Sequence, residues 1–156
     1  MDGIVLRRAE LSELVDLRHE VLRAGLPREA AIFPGDDAPT SRHYAAFRGD
    51  QILCCSTLHA SEWEGEPAYQ LRGMATAPAA QRTGLGRRVM EWMEADLLAG
   101  GGVLLLWCNA RVPAVEFYRA VGWRVVSEAF EMPTAGPHVR MVKRVAGAGG
   151  AARGES

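Results

Sequence analysis

Residues 103–109, Val-Leu-Leu-Leu-Trp-Cys-Asn, place six apolar side chains in succession. A strand with one wet face alternates apolar and polar residues, because successive side chains point to opposite faces. A strand without alternation is covered on both faces, which calls for a mixed or parallel sheet with helices packed on either side. This run constrains the fold more than any other segment of the chain.

The remaining pattern supplies the helices. Leu11, Leu14, Val15, Val21 and Leu22 recur at helical spacing over 11–25, and Gly25 and Pro27 end the segment. A second helix runs from Leu85 to about Leu98 on a stripe of Leu85, Val89, Met93 and Leu97, and Gly100–Gly102 terminate it. A third, short helix spans 113–122, with Pro113 in its first turn and Gly122 at its end. Strands are expected at 3–9, 42–48, 51–60, 68–78 and 103–109, with a tight turn at Gly49-Asp50 and a polar loop over 61–67. A final hairpin joins 123–132 to 137–145 across 133–136. The sixteen-residue connection 26–41 holds at most one helical turn, and loops of that length inside a domain are usually functional. The expected fold class is α/β: one domain over 1–145 with a mixed central sheet of about six to seven strands flanked by helices. The Gly/Ala-rich tail 146–156 has nothing to bury and is expected to be loosely ordered.

Charge excludes several function classes. Eighteen Lys and Arg against nineteen Asp and Glu leave a formal charge of −1, so no global field draws the chain to nucleic acid or to a membrane. No apolar run approaches the ~20 residues of a membrane span, and the first residues lack the apolar stretch of a signal peptide, so a cytoplasmic protein is expected. Cys54, Cys55 and Cys108 have no zinc-site spacing and read as small buried residues in a reducing compartment; no metal is expected.

The segment Gln81-Arg82-Thr83-Gly84-Leu85-Gly86-Arg87 follows a strand and opens a helix. The first backbone amides of a helix lack intrahelical acceptors, and with the helix dipole they form an anion site. Gly84 and Gly86 remove side chains that would hold a phosphate away, and Arg82, Arg87 and Arg88 add charge. The run lacks the Lys-Ser/Thr of a P-loop, and Val89 stands where a dinucleotide fingerprint needs a third glycine.

Gln81–Gly86 matches at every defined position the Gln/Arg-x-x-Gly-x-Gly/Ala motif of the GNAT superfamily of acyl-CoA-dependent N-acyltransferases, which the chain resembles. Ala114, Phe117, Tyr118 and Gly122 fall in place on the family's Ala-x-x-Phe-Tyr-x-x-x-Gly-Phe segment, and the order of elements agrees over about 3–145. The Leu-Trp-Cys-Asn-Ala-Arg and Gly-Pro-His-Val-Arg-Met stretches are further similar to the ElaA-like branch. The resemblance implies a fourth and fifth strand that splay apart, and acetyl-CoA as co-substrate. It places the pyrophosphate on 82–87, and the pantetheine arm against the backbone of Met74, Ala75 and Thr76. It also implies an acceptor that is a small-molecule or protein amine, in a monomer or homodimer.

Acyl transfer needs a free amine, a stabilised oxyanion and often an acid for the departing thiolate. Tyr118 aligns with the family's usual acid, whose phenol protonates or hydrogen-bonds the cofactor sulfur; it also reads as a core tyrosine of an amphipathic helix. Asn109, at the end of the fifth strand, is a candidate contact to the pantetheine arm or a cap for the next helix. The family's usual Asn position is occupied here by Arg111. His138, Glu131 and Glu128 in the last hairpin are candidate bases, while His43 and His59 show no pattern. Arg72 either orients an anionic substrate or packs its stem on the sheet, and Asp36 and Asp37 either attract a cationic amine or form a solvated acid pair, the commoner case. The expected function is an N-acetyltransferase that moves acetyl from acetyl-CoA to a primary amine by direct attack in a ternary complex. The alternative is a non-catalytic acyl-CoA-sensing module.

Overall fold

The helices lie where the apolar periodicity puts them. The structure, a computed structural model, describes residues 3–133 and 135–145; the expected tail at 146–156, and Thr134 of the expected last turn, lie outside the described residues. Helix α1 spans Leu11–Leu22, α2 Leu85–Gly100 and α3 Val115–Ala120, with short 3-10 turns at Arg28–Ala31, Pro78–Ala80 and Val112–Ala114. Helix α1 ends earlier than its apolar pattern suggests, with Arg23 at its C-cap.

The strands are β1 (Ile4–Arg8), β2 (Arg42–Arg48), β3 (Gln51–Trp63), β4 (Glu66–Thr76), β5 (Leu105–Arg111), β6 (Arg124–Val125), β7 (Phe130–Met132) and β8 (Gly136–Arg144). They form an eight-stranded sheet in the order β1-β2-β3-β4-β5-β8-β6, and β7 also pairs with β8. The sheet is mixed: β4 and β5 run parallel at Tyr69–Leu106 and Gln70–Trp107, whereas β1–β2, β2–β3 and β5–β8 are antiparallel. There is one strand more than expected because the segment before β8 breaks into β6 and β7, which pair with opposite ends of β8.

Two boundaries are corrected. The expected polar loop 61–67 is a tight hairpin, with β3 running to Trp63 and β4 starting at Glu66. Glu64 and Gly65 both take positive φ, 50° and 81°, the backbone of a two-residue hairpin turn. Its strand ends alternate between water and packing: Trp63 stacks on Trp107 at 5.5 Å, and the Trp107 indole donates to Ser61 Oγ at 3.1 Å. Strand β5 starts two residues later than expected and runs to Arg111, so Asn109 lies within the strand rather than at its end.

The chain divides into two compact units, Met1–His59 with Arg72–Met93, and Ala60–Leu71 with Glu94–Ser156. In the first, α1 packs Leu14 and Leu17 on Ala45, Phe47, Cys55 and Ala75. Alternate residues face α2: Tyr44 meets Trp92 edge-on at 5.7 Å, and Ser56 Oγ approaches Met93 Sδ at 3.6 Å. In the second, β5 and β8 pair from Leu105–Arg144 to Arg111–His138. Lys143 Nζ there reaches both Glu94 oxygens at 2.9 and 3.0 Å and the Val121 carbonyl at 2.6 Å. Among the described residues no helix is long and apolar enough to cross a membrane.

Candidate active site

The first unit carries the glycine loop. Ala77 N donates to Leu53 O at 2.8 Å, which fixes the chain as it leaves β4. The Gln81 side-chain amide then donates to the Thr76 carbonyl at 3.0 Å, and the Thr83 hydroxyl to the Ala80 carbonyl at 2.6 Å. The defined Gln of the motif therefore ties the loop to the end of β4. Arg82 takes a left-handed φ of 64°, a backbone state uncommon for a residue other than glycine. The first helical bond of α2 runs from Arg88 N to Gly84 O at 3.1 Å, so the amides of the first turn, at Leu85, Gly86 and Arg87, precede the helical ladder. Leu85, only 1% exposed, pins the turn to the core, while Arg82, Thr83 and Gly84 are exposed.

The cationic side chains divide. Arg87 Nε pairs with Glu91 along the helix surface at 3.1 Å. Arg88 is half-buried, and its Nη1 is buried with no acceptor. A buried guanidinium nitrogen without an acceptor is costly to leave so. The open Gly84, the first-turn amides and the positive charge that Arg88 adds to the first turn of α2 fit a phosphate. On β4, Ala75 is buried in the core, Met74 and Thr76 are half-buried, and Thr76 Oγ1 lies 3.4 Å from Cys54 Sγ.

Gly84 has φ +83°, and a Cβ built there meets nothing within 4 Å. Its role is thus not packing within the chain. Gly84→Ala is expected to cost ~1–2 kcal/mol of stability through the left-handed backbone. It should also weaken coenzyme A by roughly tenfold, because the methyl group stands in the approach to the free amides. Calorimetric titration of the folded variant checks this; unchanged affinity would remove the loop from the binding site.

A buried polar cluster that sequence reasoning missed sits in the same unit. Arg18 Nη1 donates to Asp36 Oδ2 at 2.6 Å and to Ala31 O at 2.9 Å, and Nη2 donates to Asp36 Oδ1 at 3.3 Å and Thr57 Oγ1 at 2.7 Å. The Thr57 hydroxyl in turn donates to His43 Nδ1 at 2.9 Å, and His43 Nε2–H donates to the Asp36 carbonyl at 3.0 Å. Burial pushes His43 down, which keeps the ring neutral in this arrangement. Asp36 also accepts from His59 Nε2 at 2.8 Å and from the Phe33 amide at 2.6 Å. Burial acts to raise the Asp36 carboxyl, but the His59, Arg18 and Phe33 hydrogen bonds and the Arg18 charge outweigh it and hold it well below the usual range. The expectation that Asp36 attracts a cationic amine is thereby corrected: the carboxylate is 2% exposed and committed to Arg18 and His59. Asp37 is exposed.

Gly73, within β4, takes φ +65°, and a Cβ there would stand 2.8 Å from Arg18 Nε and 3.2 Å from Phe33 Cε2. Only glycine lets β4 pass this close to the buried arginine. Arg72, the preceding residue, places its guanidinium 4.4 Å from the Phe33 ring centroid. Both expectations for Arg72 bear on this geometry, since its stem packs and its head group stays polar.

The second unit carries the other candidates. Tyr118 is 7% exposed, with its ring edge-on to Phe117 at 5.3 Å and Trp123 at 5.5 Å. Asn109 is half-buried, and its Oδ1 is a buried acceptor without a donor; an amide N–H of a pantetheine arm is a group that fits it. His138 is buried, and its Nδ1 lies 2.9 Å from the Gly136 carbonyl. Opposite a carbonyl that nitrogen must carry the proton, which leaves Nε2 as the basic atom of the neutral ring. Glu131 is exposed on β7 between the half-buried Phe130 and Met132, and Glu128 is exposed before that strand.

The sequence profile of the Acetyltransferase (GNAT) domain matches residues 39–125, more than half of the chain. The chain belongs to the GNAT acetyltransferases. A Bacillus subtilis (strain 168) protein described as the uncharacterized N-acetyltransferase YitI is 28% identical over 144 residues, covering 88% of this chain and 94% of that one. Escherichia coli ElaA shares the fold with a TM-score of 0.76 at 18% identity, over 90% of this chain and 99% of ElaA. A crystal structure of an aminoglycoside 6'-N-acetyltransferase complexed with coenzyme A superposes with a TM-score of 0.72 at 13% identity, over 92% of this chain and 98% of that one. This GNAT chain is an N-acetyltransferase of class EC 2.3.1.- and an acetyl-CoA-binding protein.

Proposed function

We propose that this GNAT enzyme transfers acetyl from acetyl-CoA to a primary amine, of a small molecule or a protein, by direct attack in a ternary complex. The observation that carries the reading is the start of α2, where Gly84 stands open with φ +83° beside first-turn amides and Arg88 Nη1 lacks an acceptor. In this reading Arg82–Arg87 bind the pyrophosphate, the backbone of Met74, Ala75 and Thr76 and the side chain of Asn109 bind the pantetheine arm, and Gln81 holds the loop in place. The bound thioester supplies an activated acetyl carbonyl and a thiolate leaving group. The Tyr118 hydroxyl gives its proton toward that sulfur, and His138 Nε2 takes a proton from the amine. Glu131, being exposed, would take one only through solvent.

The cysteines favour direct attack. Burial pushes Cys54 up to about 11 and Cys55 and Cys108 up to about 12. At neutral pH none supplies the thiolate that an acyl-cysteine route requires. The fold shared with a coenzyme A complex adds support for the donor. The reading is tested by thiol release from acetyl-CoA across a panel of amines, with the product mass measured in parallel. A mass gain of about 42 Da on an amine, which distinguishes a transferred acetyl group from an acyl-enzyme, is expected for at least one class. Coenzyme A binding without amine-dependent thiol release would contradict it.

A further inference from the structure

Beside the polar cluster of the first unit stands a cation that feels the Asp36 charge but donates to no acceptor among the described residues. Three guanidinium groups surround the Phe33 ring, with Arg18 and Arg72 at 4.4 Å and Arg23 at 5.1 Å from its centroid. Arg18 is matched by Asp36, and Arg23 Nη1 donates to the Leu22 carbonyl. Among the described residues Arg72 has neither a hydrogen-bond nor an ion-pair partner, although it is half-buried. A guanidinium stacked on a ring keeps its donors at the edge of its own plane, the fork geometry that matches a carboxylate.

From this we propose that Arg72 is the anchor for a carboxylate on the acceptor, so that the substrate class is an amine that also bears a carboxylate, as amino acids do. The inference rests on the proposed amine acetyltransferase reading. Three observations support it. Arg72 directly precedes Gly73 and the Met74–Thr76 backbone proposed to carry the pantetheine arm, so an anchored substrate lies beside that strand segment. The platform is rigid: Phe33 is 5% exposed, its amide is held by Asp36 at 2.6 Å, and Gly73 allows β4 against it. Finally, Phe33 and Asp36 both follow the Arg28–Ala31 turn in the 26–41 connection, so the ring and the acid that holds its amide belong to one short segment. The planar fork of one guanidinium matches a planar, singly charged carboxylate.

The test uses matched amines: an amino acid, its carboxamide, and the amine left when the carboxylate is absent. The native enzyme is expected to favour the carboxylate member in kcat/KM. Arg72→Gln should lower kcat/KM for that member by about 10- to 100-fold, the reach of a charge-assisted pair, while leaving the carboxamide within about threefold and coenzyme A affinity unchanged. Equal or better use of the carboxamide or decarboxylated amine by the native enzyme would overturn the anchor and spare the acetyltransferase reading. Equal loss on all three amines in the variant would also overturn it, by showing that Arg72 only packs. If coenzyme A binds and no amine turns over, the acetyltransferase reading itself fails. Calorimetry of the coenzyme A-bound protein with the amino acid against its carboxamide then reads the anchor directly, and equal or absent binding overturns it.

Discussion

Replacing Tyr118 with phenylalanine is expected to slow acetyl transfer by ~10²–10⁴-fold per folded molecule, the usual reach of one general acid. The substitution keeps the edge-on contacts to Phe117 and Trp123 and removes only the hydroxyl. Coenzyme A affinity should barely move, since the loop at 81–87 is untouched. A fall in rate with affinity preserved marks an interaction made mainly in the transition state. A tyrosine that serves only the core behaves in the opposite way, with lower stability and unchanged turnover of the folded fraction. Single-turnover rate and coenzyme A dissociation constant on the same preparation separate the two. A rate within about threefold of the parent, less than the tenfold that ~1.4 kcal/mol represents, would remove Tyr118 from the chemistry.

The second large effect is on stability. Asp36→Asn keeps the size of the side chain and deletes its charge, leaving Arg18 fully buried beside a neutral amide. Breaking a buried ion pair from one side costs ~3–5 kcal/mol. At ~2–4 °C per kcal/mol for a chain of this size, the melting temperature should fall by roughly 6–20 °C. The pH dependence has a defined sign. The native Asp36 carboxyl is held below its unfolded value, so its contribution is present above about pH 4 and is lost as pH falls toward the lower folded value. The variant should therefore show its deficit in full at pH 7 and a flatter acid limb below pH ~4. Calorimetric melting of both proteins across that range checks it; a deficit below ~1 kcal/mol at pH 7 would mean that the pair contributes little.

Local features of the sequence were legible and long-range ones were not. Helix α2 and its loop are legible because the Leu85-Val89-Met93-Leu97 stripe repeats at every turn of one continuous helix and the Gln81–Gly86 motif is six consecutive residues. The β3–β4 hairpin was masked because Ser-Glu-Trp-Glu-Gly-Glu-Pro looks like a loop by composition, although Trp63 pairs with a ring more than forty residues away. The Arg18 cluster had no local signature, since its partners stand 18 and 39 residues along the chain. Even correct strands would have missed it. A turn at Gly49-Asp50 without irregularity sets His43 opposite Ser56, whereas the bulge between Ala46 and Phe47 sets it opposite Thr57, on the other face. The acid pair Asp36-Asp37 looks solvated, or open to a cation, because nothing in its own neighbourhood reveals the arginine eighteen residues upstream.

Single-turnover transfer from acetyl-CoA labelled in the acetyl carbonyl, with enzyme in excess and a reactive amine from the panel, is the most direct examination of the proposed chemistry. Thiol release and labelled amide should appear together, in equal amounts and at the same rate, with no label on the protein when the amine is omitted. Label retained on the protein, or thiol release no faster than in protein-free buffer while coenzyme A still binds, would contradict direct transfer by this enzyme.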